Sequence, residues 1–172
     1  MSFSNRLSSY AKELCDFCRS NGYNGRVGLL MDLSRHSGLR RFVVWDFEKA
    51  KALHKFPASH GSGSPRSHVR SAYAACSNVD GSHLSSLGRA LVAERYEGRY
   101  GVAYRLDGLD ESNSALRQRC GVLHGWQYTT SFAIYPLPTV GSWGCPVLSR
   151  RAMKMLDKIL QQEQNVVLWV YK

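Results

Sequence analysis

Phe3, Leu7, Tyr10, Leu14 and Phe17 recur every three or four residues, the period of a helix that rests one face on an apolar surface. Ser2 or Ser4 is placed to cap its start, and Gly22 follows its end. From Arg26 the period shortens. The runs "RVGLLMDL", "RRFVVWDF" and "ALHKFPAS" are brief, apolar or alternating, and separated by Ser, Gly and Arg, which predicts antiparallel strands with "SRHSGLRR" as a hairpin loop between the first two. The segment "HGSGSPRSHVR", His60 to Arg70, has no period and predicts an exposed loop. Further strands are predicted at "LGRALVAE", "YGVAYRL" and "CGVLHG", with a short helical piece, "ESNSALRQR", leading into the last. Ser149 is placed to cap a second amphipathic helix with Ala152, Met155, Leu156, Ile159 and Leu160 on one face, and "NVVLWVY" then reads as a closing buried strand. Many short strands, a helix near each end and no internal repeat predict an α+β, mostly β domain.

The chain has 172 residues and is 44% hydrophobic, enough for one domain with a real core. No run approaches the roughly 18 apolar residues of a membrane span, so none is expected. The opening "MSFSNRLSSYAKELCDF" has no apolar core of a secretory signal, so either a leader has been removed or another export route is expected. Lys and Arg number 23 against 13 Asp and Glu, a formal net charge of +10 that favours polyanions: nucleic acid, anionic lipid or an acidic wall polymer. The basic residues are dispersed, with only local pairs such as Arg40-Arg41 and Arg150-Arg151, so specific nucleic-acid binding is not expected.

Five cysteines leave at least one thiol without a partner in the chain. Cys15 and Cys18 form a CxxC, but it falls on the helical pattern and no second CxxC completes a zinc set, so both read as core positions. Cys145 stands differently, in "VGSWGCPVLS". A cysteine nucleophile needs a base, donors for an oxyanion and a backbone that lets substrate approach. Gly144 leaves the approach open, the amides of Trp143, Gly144 and Cys145 are candidates for one concavity, and Pro146 stiffens the exit. The base should be a histidine, because its ordinary pKa lets it accept a proton near neutrality. Of six, His124 ends the apolar run "GVLHG" and lies seventeen residues before Ser142, giving H-x17-S-W-G-C. On the residues alone, a buried inert thiol and a satisfied structural histidine explain the pair equally well.

That spacing resembles the signature of the YkuD-type L,D-transpeptidases, and more closely the murein L,D-transpeptidase catalytic domain branch, whose motif ends in "GCP". "SHG" (59–61), "CSN" (76–78), "SSLG" (85–88), "YEGRYGVAYRLDGLD" (96–110), "NSALRQRCGVLHG" (113–125) and "GSWGCP" (141–146) follow the branch in the same order. Two positions depart from it: Gly141 stands where an arginine is usual, and Cys76 where an aromatic is common. The resemblance implies a YkuD-like fold, sandwich or mixed sheet, over residues 26–172. Residues 1–25 are then a helix packed on that domain.

The resemblance further implies a thioester enzyme. Cys145 would attack the carbonyl of the third, diamino-acid residue of a peptidoglycan stem tetrapeptide and expel D-Ala; an amine (L,D-transpeptidase), water (L,D-carboxypeptidase) or a D-amino acid would resolve the intermediate. His124 would move the proton, with a thiolate stabilised beside its imidazolium. Gly144 and Cys145 are the oxyanion-hole amides expected, with Ser142 shaping the turn or bonding substrate. Arg99 and Arg105 are the candidates to pair with stem carboxylates, Tyr96 and Trp143 to form walls, and His60 to lie near the site. A zinc set from His60, His68, Cys76 and His83 fits no ligand spacing, so neither metal nor other cofactor is expected. The expected partners are peptidoglycan stem peptides and anionic wall polymers, met in the periplasm or cell wall by a monomer. A non-catalytic wall-binding domain and an antibacterial effector delivered by a dedicated secretion system are the rival readings.

Overall fold

The structure is a computed structural model that describes residues 3–172. Eight strands build it: β1 (Val27–Asp32), β2 (Phe42–Asp46), β3 (Lys51–Phe56), β4 (Gly88–Gly98), β5 (Gly101–Gly108), β6 (Val122–Trp126), β7 (Val147–Ser149) and β8 (Val167–Tyr171). They form one mixed sheet in the order β3-β2-β1-β8-β4-β5-β6-β7. The hairpins β1–β2, β2–β3 and β4–β5 are antiparallel, whereas β1–β8 and β6–β7 run parallel. Past β3 the chain bridges to β7 at Ser59 and Val147, so the two edge strands are linked.

Two helices, α1 (Phe3–Ser20) and α2 (Arg150–Leu160), cover the sheet. All six residues of β1 are buried because both its faces are covered. Leu30 joins Val43, Trp45 and Val167 against Leu7, Ala11, Leu14, Cys15 and Cys18 of α1. Leu29 and Met31 enter the other cluster with Leu106, Leu123, Leu148 and, from α2, Ala152, Met153 and Leu156. The CxxC cysteines are therefore core residues, and burial pushes the Cys18 thiol up to about 12. Ser149 caps α2, its hydroxyl accepting from the Ala152 amide at 3.1 Å. At α1 the cap differs from expectation: the helix already includes Ser4, and Ser2 lies outside the described residues.

Two local predictions change. The helical piece over "ESNSALRQR" is a single 3-10 turn, Glu111–Asn113. Buried Asn113 accepts from the Asp110 amide, part of a capping box on the turn, and donates to the Arg89 carbonyl, which ties the turn to β4. The predicted exposed loop is anchored where it begins and ends. His60 and Gly61 are buried, Gly61 bridges to Ser142, and Arg70 bridges to Val140.

Candidate active site

The segment that carries Cys145 is shaped by small side chains. Gly144 has φ +120°, a conformation L side chains rarely adopt, and a Cβ there would lie 3.0 Å from the Leu84 carbonyl oxygen. The Ser142 hydroxyl donates to the Cys145 carbonyl at 2.6 Å and accepts from the Gly144 amide at 3.2 Å, closing the turn on itself. Ser85 fixes it from behind by donating to the Gly144 carbonyl at 2.8 Å while accepting from the Gly61 amide at 2.9 Å. The amide of Ser142 donates to the His60 carbonyl, and that of Ser62 to the Ser142 carbonyl. The departure at position 141 has a steric reason, because a Cβ on Gly141 would lie 2.6 Å from Ser62 Cβ.

This arrangement revises the oxyanion expectation. The Gly144 amide is taken by Ser142, whereas the amides of Trp143 and Cys145 have no hydrogen-bond acceptor among the described residues. Ser142 acts as the builder of the turn.

His124 lies mid-strand on β6, opposite Ala103 of β5 and Val147 of β7. Its neighbours Leu123 and Gly125 point the other way, where a Cβ on Gly125 would meet Met153 of α2 at 3.0 Å. The imidazole therefore sits on the face away from α2. Its Nδ1 is 3.1 Å from the Gly125 carbonyl oxygen; with the proton there, Nε2 is the open acceptor. Burial lowers the His124 pKa, opposed by that hydrogen bond. Burial likewise raises the Cys145 pKa, opposed by the Val122 backbone and by the positive charge of Arg119. The thiol thus lies beside β6, two residues along the strand from the imidazole. Among the described residues no hydrogen bond joins the two side chains, and both shifts favour the neutral forms over a resting thiolate–imidazolium pair.

The remaining expected residues divide. Trp143 is 61% exposed and leans on His83, with ring centroids 5.5 Å apart, as an outward wall. Arg105 stacks over Tyr96 at 5.0 Å and sits opposite Val122, on the same side of the sheet as His124. Arg99 is in the β4–β5 turn above Tyr100. His60 lies next to the cysteine turn, as expected, with its ring turned inward. Its ring is 1% exposed, accepting from Arg41 at Nδ1 (2.5 Å) and contacting Ser71 Oγ through Nε2 (3.2 Å). Burial and the adjacent guanidinium push its pKa down to about 3. Both ring nitrogens are engaged inside, and its backbone carbonyl accepts from the Ser142 amide of the turn.

Three contributors escaped the sequence reading. Tyr100 stacks on the His124 ring at 5.0 Å and 20°; its only signal was an aromatic in the tight turn "GRYG". Ser85 and Arg119 lie in stretches whose resemblance was noted but whose side-chain roles had no local mark.

A mixed sheet with two helices, and a cysteine turn set beside a histidine-bearing strand, define the class as an L,D-transpeptidase-like catalytic domain. The family described as L,D-transpeptidase catalytic domain matches residues 28–171, and the chain belongs to it. Among solved structures it is similar to an L,D-transpeptidase of Xylanimonas cellulosilytica (14% identity, TM-score 0.50, covering 91% of this chain and 68% of that one). It is also similar to an L,D-transpeptidase of Mycobacterium tuberculosis (15%, TM-score 0.51, 85% and 57%). A third is the helical cell shape determining protein of Campylobacter jejuni (12%, TM-score 0.53, 87% and 49%). The chain spans about half to two thirds of these structures. No curated protein matches it by sequence. Among the described residues no helix is long and apolar enough to cross a membrane.

Proposed function

We infer that the chain is a peptidoglycan-modifying cysteine enzyme in which Cys145 attacks the stem tetrapeptide carbonyl between its third residue and D-Ala. The observation that carries this reading is the Ser142–Cys145 turn. A glycine-only conformation and three serine hydrogen bonds hold the thiol against the strand that bears His124. Neutral His124, with Nε2 open, is the base that takes the thiol proton as the carbon–sulfur bond forms and returns it to the departing amine of D-Ala. The open amides of Trp143 and Cys145 receive the negative oxygen. A stem amine or water then releases the thioester. Arg99 and Arg105, flanking the histidine, pair with the carboxylates of the stem, and Tyr96 and Trp143 border the approach. The net charge of +10 suits an anionic wall, and the reaction places the protein in the periplasm or cell wall.

The test has two arms. Intact mass after incubation with a carbapenem should show one adduct, mapped to Cys145. Digestion of purified peptidoglycan should yield dimers linked between third residues for a transpeptidase, or tripeptides for a carboxypeptidase, with neither formed by Cys145→Ala. Absence of both adduct and product would refute the enzyme and leave a wall-binding domain, recognised by salt-sensitive co-sedimentation with sacculi.

A further inference from the structure

Two arginines stand two residues apart before β6 and are used in opposite ways. Arg117 is neutralised by Asp107 and Glu94. Arg119 turns inward, and its guanidinium donates only to neutral acceptors: the Ser77 carbonyl (2.8 Å), the Leu84 carbonyl (2.8 Å) and the hydroxyls of Ser86 (2.7 Å) and Ser82 (3.2 Å). Arg89 and Arg95 also have carboxylate partners, Asp110 and Asp157; among the described residues Arg119 has none. Both terminal nitrogens are engaged while the charge has no carboxylate partner among the described residues, a condition that favours an anion nearby.

The place where that anion forms is close. Arg119 Nη2 lies 3.6 Å from where a Cβ of Gly144 would stand, and the Leu84 carbonyl it holds is the oxygen 3.0 Å from the same point. The guanidinium therefore ties down the serine loop (77–86) directly behind the Gly144-Cys145 peptide. The charged and titratable groups that act on the thiol are Arg119 and Cys120, both before β6, whereas His124 is paired with Val147 and His83 packs on Trp143. Arg119 alone is a permanent cation.

We propose that Arg119 is a positioning residue for the nucleophile: it fixes the serine loop that backs the cysteine turn and supplies the charge against which the Cys145 thiolate forms. The proposal rests on Cys145 being the reactive thiol. Arg119 acts on the thiol to lower its pKa, and an opposite charge within about 4–6 Å moves such a group by about one unit or more. Removing the guanidinium should therefore leave less thiolate at every pH below the midpoint.

The experiment is iodoacetamide alkylation of the full chain from pH 6 to 10.5. Modification of the Cys145 peptide is quantified by mass spectrometry, so the other four cysteines do not enter, and each variant's fold is checked by circular dichroism. Arg119→Gln keeps amide donors for the Leu84 carbonyl and loses the charge. Its Cys145 midpoint should rise by about one unit, with alkylation at pH 8 about threefold slower, because higher intrinsic nucleophilicity offsets part of the lost thiolate. Arg119→Lys keeps a charge but not the fork, and should melt lower while holding the midpoint within about half a unit of wild type. A folded Arg119→Gln with an unchanged midpoint would overturn the proposal. If that variant does not fold, Arg119→Lys decides: a midpoint as in wild type supports the role of charge, and a rise of a unit or more overturns it. Alkylation requires no acyl transfer, so a wild type inert to carbapenem and peptidoglycan would remove the enzymatic reading without changing this result.

Discussion

Replacing Gly144 by alanine tests the cysteine turn most directly. At φ +120° an alanine carries about 1–3 kcal/mol of backbone strain. Its methyl group would also stand 3.0 Å from the Leu84 carbonyl oxygen, a backbone atom held by Arg119, which adds about 1 kcal/mol of overpacking. A total of about 2–4 kcal/mol lowers the melting temperature by about 5–15 °C in a chain of this size. Gly22→Ala is the control: φ is +72°, nothing lies within 4 Å, and the residue follows α1 away from the site. It should cost about 1–2 kcal/mol and leave the chemistry intact. Paired thermal melts and carbapenem acylation rates, read by mass spectrometry, separate strain from function. Gly144→Ala should acylate about 100-fold more slowly or worse, since relieving the contact displaces the thiol by a large fraction of an ångström. Gly22→Ala should acylate as wild type does. Near-native acylation by Gly144→Ala, with a melting loss no larger than that of the control, would refute the argument that this glycine sets the sulfur's position.

His124→Gln should reduce acylation about 100-fold or more. In the wild type, burial keeps the imidazole unprotonated below the ordinary histidine value, so the acidic limb of the acylation rate should fall below pH 6.5; a limb at or above pH 7 would contradict this. Acylation should also show a normal solvent deuterium isotope effect, because the proton leaves sulfur during attack; an absent or inverse effect would indicate a preformed ion pair. Asp157, bonded to Arg95, Tyr104 and Gln161, has its pKa lowered chiefly by Arg95, so its stabilisation is present above the unfolded value near 3.9 and is lost as pH falls through the folded one. Asp157→Asn should lower the melting temperature at pH 7, by about 1–3 kcal/mol equivalent, and flatten its fall below pH 4. Ser85→Ala leaves the Gly61 amide without its acceptor and frees the Gly144 carbonyl; a destabilisation of about 1–3 kcal/mol is expected by denaturant titration, with slower acylation alongside.

What could be read from the sequence was what has a period or a local grammar. β1, β2 and β8 are apolar runs with turns beside them, α2 begins at a serine that caps it, and the Ser-x-Gly-Cys-Pro stretch contains its own turn. What could not be read depends on contacts between distant residues. Ser85 reaches Gly144 across 59 positions, and Arg119 reaches Ser77 across 42. A serine or arginine that completes such a bond has the same local sequence as one facing water. His60 shows the converse: its motif is prominent, yet its ring serves Arg41 in the interior while its carbonyl serves the turn. The 3-10 turn at Glu111 is hidden for a related reason, since the Asn113 side chain that closes it donates to the Arg89 carbonyl on β4.

These distant contacts bear on how a half-buried thiol is held in the proposed site. Burial raises the Cys145 pKa and lowers that of His124, so both groups are biased toward their neutral forms. The Val122 backbone and Arg119 act in the opposite direction and do so only in proportion to the negative charge on sulfur. In the proposed reaction their benefit is small for the thiol and grows as its proton leaves, and the open amides of Trp143 and Cys145 would offer the same kind of stabilisation to the oxygen of the attacked carbonyl. In the proposed reaction, a turn held by Ser142 and Ser85 and backed by Arg119 would need little reorganisation while charge moves from sulfur to oxygen.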